Sequence, residues 1–74
     1  MRILVTDSDN RSALAATRAL GKRGHTVFTA GERHPSLASV SKYSAGFDKY
    51  ASPYTAPERF IAAVSRILQH RSID

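Results

Sequence analysis

The stretch Arg2-Ile3-Leu4-Val5-Thr6, followed at once by Asp7-Ser8-Asp9-Asn10, constrains the fold more than any other part of the chain. Ile3, Leu4 and Val5 form an apolar run without polar alternation, which suits a strand covered on both faces in a parallel sheet. The four polar residues behind it favour turns and helix caps. A helical pattern begins directly after them. Strand, tight loop and helix in that order open an α/β domain. Ligands of open α/β sheets bind beyond the carboxyl ends of the strands, so the Asp7–Arg11 loop is the first place to look for function.

The first helix is expected from Asn10 or Arg11 to Lys22, with Ala13, Leu14, Ala16, Thr17 and Leu20 as its buried stripe and Asp9 or Ser8 as its N-cap. Lys22 and Arg23 favour its last turn, and Gly24 offers a left-handed stop. His25–Ala30 reads as a second strand ended by Gly31. His34-Pro35 breaks regular structure, and Ser36 is placed to cap a short helix through Leu37, Ala38, Val40 and Ser41. Phe47–Tyr50 reads as a third strand. Thr55-Ala56-Pro57-Glu58 has the form of a capping box, with Thr55 at the N-cap. It leads into a helix with Phe60, Ile61, Val64, Ile67 and Leu68 on one face, and residues from His70 onward are expected to fray. The expected order is β-α-β-(short α)-β-α, a small three-layer Rossmann-like half with a parallel sheet of order 2-1-3.

With 74 residues the chain holds one small domain. Domains of this size bury only about 60% of their unfolded surface, while a parallel sheet needs cover on both faces, so further structure is expected to pack on this unit. Cysteine is absent, which removes disulfides, thiolate metal sites and a thiol nucleophile. No apolar run approaches the roughly 18 residues of a membrane span, and the first residues form a strand, not a signal peptide. A cytoplasmic setting and no membrane partner are the expectations. The formal net charge is +5. Its cations are scattered with no block of like charge, so a solvated basic surface, or an acidic partner domain, accounts for them better than nucleic acid.

The chemistry-bearing motifs are weak by spacing. Gly21 and Gly24 close the first helix, whereas a dinucleotide-binding turn needs glycines at its start. The carboxylates of Asp7 and Asp9 would repel a pyrophosphate there, although the helix N-terminus with Arg11 could attract a smaller anion. Asp7 and Asp9 could instead hold a divalent cation, as in a response-regulator receiver domain. A receiver, however, requires an acceptor Asp at the exit of strand three, where this chain has Tyr50-Ala51-Ser52-Pro53. Asp48 lies within or before that strand. His25, His34 and His70 have no metal-ligand spacing, and the serines lack a nucleophile-elbow context. Lys42-Tyr43 has the wrong order and spacing for a short-chain dehydrogenase, which leaves Tyr43 as a packing residue.

The chain resembles the N-terminal, pre-ATP-grasp domain of ATP-grasp ligases, particularly carboxylate–amine ligase-like and carbamoyl-phosphate-synthetase-like members. The likeness is carried by Ile3-Leu4-Val5-Thr6-Asp7, Ala13-Leu14-Ala15, Thr17-Arg18-Ala19-Leu20-Gly21 and Gly24-His25-Thr26-Val27. It continues through Ser36-Leu37-Ala38, Ser41-Lys42-Tyr43-Ser44, Tyr50-Ala51-Ser52-Pro53 and Pro57-Glu58-Arg59-Phe60-Ile61. Ser8 departs from the family, which commonly has Gly there.

The resemblance implies a single domain over residues 1–74, belonging to a larger enzyme that activates a carboxylate as an acyl phosphate for attack by an amine or other nucleophile. ATP and Mg²⁺ would be bound by the downstream ATP-grasp domains, with no cofactor, metal or catalytic residue supplied by this chain alone. Asp7, Ser8, Asn10, Arg11, Gly31 and Glu32 are then the expected substrate or interdomain contacts. Arg11 suits a carboxylate or phosphate by its forked geometry. The alternatives are a stand-alone interaction or dimerisation module, its half-sheet completed by a second copy, and a degenerate receiver-like domain.

Overall fold

A computed structural model describes the whole chain, Met1–Asp74. Its elements are β1 (Arg2–Val5), α1 (Arg11–Lys22), β2 (Thr26–Gly31), β3 (Ser44–Lys49) and α2 (Pro57–His70). The three strands form one parallel sheet. Its order is β1-β2-β3, not the expected 2-1-3. The reason lies in the Glu32–Tyr43 connection. Right-handed crossovers on one face step the sheet in one direction, and reversal requires the other face. The connection packs beside α1, close enough that a Cβ on Gly21 would come within 2.6 Å of Tyr43 Cβ. Both crossovers therefore use the α1 face, and β3 lands beyond β2.

No short helix forms in that connection, which is a series of turns. Side-chain hydroxyls hold it instead. Ser36 N–H donates to Ser39 Oγ at 2.8 Å, while Ser39 Oγ–H donates back to Ser36 O at 2.9 Å. Local hydroxyl bonds of this kind compete with helix formation. β3 begins at Ser44, earlier than Phe47, and carries an irregular register opposite Val27 and Phe28.

α1 has the expected bounds, but its N-cap is Asn10, whose Oδ1 accepts from Ser12 N–H at 2.8 Å. Asp9 and Ser8 are not the cap: Ser8 is fully buried behind the loop, and the Asp9 carboxylate turns to Arg33. Gly24 takes the left-handed stop at φ +90°. At α2 the cap is Ala56 with no side-chain bond, so the Thr55 capping box does not form.

α2 covers the sheet face that presents Leu4, Phe28 and Ala30. Ala30, Tyr50 and Ile67 form the centre of this core, with Leu4, Phe60 and Ala63 packed around it. Ile61 and Leu68, expected on the buried face, are 64% and 42% exposed. The expected fraying after His70 is absent as well. Arg71 Nε donates to Asp48 Oδ2 at 2.8 Å, Asp74 N–H donates to Arg2 O at 3.0 Å, and Arg2 N–H donates to Asp74 Oδ2.

Candidate functional site

β1 and β2 end side by side, Val5 opposite Thr29. Their exits bring Asp7, Ser8 and Asp9 against Gly31, Glu32 and Arg33 around a cleft of about 280 Å³ with no apolar lining. Of the residues expected to meet here, Asp7, Ser8, Gly31 and Glu32 do. Asn10 and Arg11 stand outside the cleft, Asn10 engaged as the helix cap and Arg11 exposed at the first position of α1.

The loop geometry is set by Ser8. Its N–H donates to Ala30 O at 3.1 Å, and its carbonyl accepts from Ala38 N–H at 2.7 Å. Its Oγ shares a buried 2.7 Å hydrogen bond with Ser36 Oγ. Gly31 lies so close that an added Cβ would collide with Ser8 Oγ. Ser8 is thus a structural joint between β1, β2 and the Ser36–Ala38 turn.

Asp7 occupies the left-handed region at φ 54°, which Asp tolerates better than most residues. Its N–H donates to Tyr50 Oη at 2.9 Å. Burial pushes the Tyr50 phenol above its ordinary value near 10, and the Asp7 and Glu32 carboxylates push the same way against the Asp7 hydrogen bond. Asp9 pairs with Arg33 at 2.8 Å, both side chains well exposed.

The cleft therefore gathers the carboxylates of Asp7, Asp9 and Glu32 around one guanidinium, which already has a partner. That field disfavours a phosphate or carboxylate. No group of three or more His, Asp or Glu side chains is placed to hold a metal ion. Asp9 lies here with Asp7, as the loop reading expects, whereas sequence reasoning did not bring Tyr50 or Arg33 to this place. The available signal was the parallel pairing of β1 with β2, which sets Arg33 facing the acidic loop. No helix of the chain is long and apolar enough to cross a membrane.

The fold and this cleft define a small α/β unit with a polar site at the carboxyl end of its sheet. No family model, curated protein or solved structure matches the chain.

Proposed function

We propose that this chain is the non-catalytic N-terminal module of an ATP-grasp carboxylate ligase, working beside its partner domains in the cytoplasm. The observation that carries the reading is the outer edge of β1. This strand lies at the edge of the sheet, and its apolar residues Ile3, Leu4 and Val5 are only half-buried. α2 returns the chain to that edge, where Asp74 N–H donates to Arg2 O and the Asp74 carboxylate accepts from Arg2 N–H. Strands alternate their backbone groups, so Leu4 directs its N–H and C=O to the same unpaired side. An apolar parallel strand open in this way favours completion by further α/β structure. The sequence resemblance supplies the class of that structure. ATP and Mg²⁺ belong to the rest of the enzyme in this reading, and the acidic cleft faces the partner domains.

The test is a search of the adjoining genome sequence for an ATP-grasp reading frame, whose absence overturns the reading, followed by co-expression of that frame with this chain. A one-to-one complex with carboxylate-dependent release of ADP, absent from either part alone, is the expected result. Failure to associate, or tight binding of Mg-ATP by the isolated chain in calorimetry, overturns the reading.

A second reading, self-association, is favoured by α2. Arg59, Ala62, Ala63 and Arg66 of this helix lie beside Lys49–Ala51 at the β3 side. Ile61, Val64 and Leu68 therefore flank the β1 side, where Ile61 and Leu68 are exposed. A two-fold axis at the β1 edge would pair this flank with its copy. Sedimentation of the purified chain separates the two readings, a dimer supporting the second.

A further inference from the structure

We infer that the groove between α1 and the Leu37–Tyr43 segment binds an acidic amphipathic segment of a partner protein. The groove encloses about 400 Å³ and combines Leu14, Leu37, Val40 and Tyr43 with Arg18, Lys22 and Lys42. Leu14, Arg18 and Lys22 follow one another at four-residue spacing, so they stack in one row along α1. That row is about 12 Å long at 1.5 Å per residue. Lys42 forms the facing wall, its ammonium 5.2 Å from the Tyr43 ring centroid.

None of the three cations has a carboxylate partner, because the chain's two ion pairs are Arg33–Asp9 and Arg71–Asp48. Val40, 69% exposed, and Leu37, 38% exposed, line the same groove, so their apolar surface is contiguous there and not scattered. The walls are held in place. Gly21 sits directly beneath Tyr43, and the far wall is anchored through Ser8–Ser36 and Ala38 N–H to Ser8 O.

The arrangement of charge selects the occupant. Cations that converged on one point would fit a single anionic head group. Here Arg18 and Lys22 lie one turn apart on α1 and Lys42 stands on the facing wall, so the charge is spread over both sides of the groove and fits carboxylates spaced along a chain, with apolar residues between them entering at Leu14, Leu37 and Val40. This is the groove mode of peptide recognition, with electrostatic complementarity fixing register. The groove lies on the α1 face, away from the β1 edge, and the inference does not depend on the ligase reading.

The test pans random phage-displayed peptides against the full chain, then measures the enriched sequences by fluorescence anisotropy. Acidic sequences carrying Leu, Ile or Phe are expected, with Kd raised about tenfold or more by Arg18→Glu/Lys22→Glu and several-fold by Val40→Ser. Circular dichroism establishes that each variant folds. If the double variant does not, Val40→Ser, on an exposed side chain, decides alone. Neutral or basic enriched sequences, no enrichment, or an unchanged Kd in the folded variants overturn the inference. So does full displacement by octanoate, which reassigns the groove to a small amphipathic anion, or by polyglutamate, which reduces it to charge alone.

Discussion

Asp7 N–H and Tyr50 Oη are hydrogen-bonded at 2.9 Å, joining the strained loop after β1 to the residue that follows β3. Tyr50 also meets Phe60 edge-on, with ring centroids 4.9 Å apart. Tyr50→Phe keeps that packing and removes only the acceptor, so a loss of about 1 kcal/mol is expected in urea unfolding. The pH profile gives a second readout. The folded state raises the Tyr50 pKa above 10, so it holds this proton more tightly than the unfolded chain does. The associated stability is complete below pH 10 and declines as pH rises through the folded value. Tyr50→Phe should lack that part of the alkaline decline.

The Ser8–Ser36 pair is buried on both sides. Ser8→Ala or Ser36→Ala leaves the other hydroxyl short of a partner and should cost about 1–3 kcal/mol. The double variant removes both groups and should lose less than the sum of the two. A double-mutant cycle measured by urea unfolding should return a coupling of about 1 kcal/mol, and strictly additive losses would show the bond contributes nothing.

Two glycines at the end of α1 should respond to alanine for different reasons. At Gly21 the new methyl meets Tyr43 Cβ and Cγ at 2.6 and 2.7 Å, atoms that cannot swing aside without moving the turn. Overpacking of about 1–3 kcal/mol outweighs a helix-propensity gain of about 1 kcal/mol. At Gly24 nothing lies within 4 Å, and the penalty is the positive φ alone, about 1 kcal/mol. Thermal unfolding should show a loss in each, with chemical-shift changes reaching Tyr43 only in Gly21→Ala.

The two ion pairs should differ sharply in value. Arg71 bonds Asp48 at 2.8 Å with both side chains about one-quarter exposed, and its guanidinium lies 5.0 Å from the Phe28 centroid. Arg71→Ala should lose about 2 kcal/mol, and Arg71→Lys most of that, since Lys lacks the planar fork and the stacking surface. Arg33, with 79% of its side chain exposed, should lose under about 0.5 kcal/mol on substitution by Ala. Parallel urea titrations compare the variants directly.

What was legible in the sequence was what neighbours along the chain decide. The bounds of α1 follow from its apolar period and the glycine that stops it, and Ile3-Leu4-Val5 does form a parallel strand. The sheet order was not legible, because the face on which the Glu32–Tyr43 connection travels depends on its packing against Gly21. Nor does the α2 stripe reveal which flank is covered. Phe60, Ala63 and Ile67 point to Ala30 and Leu4, while Ile61 and Leu68, one position further on, remain outside. Four of the expected site residues do converge. Arg11 does not: as the first residue of α1 it stands exposed outside the cleft, and the helix period alone does not say which way that first side chain faces.

The Arg2–Asp74 contact also places the two ends of the described chain at one spot, with Met1 O itself held by Thr26 N–H. A unit whose ends meet can be spliced into a surface loop of a host protein without stretching it, or circularly permuted by joining the ends through a short bridge. New ends opened in the Pro53–Thr55 turn, where Tyr54 is 92% exposed, would leave all three strands and both helices intact.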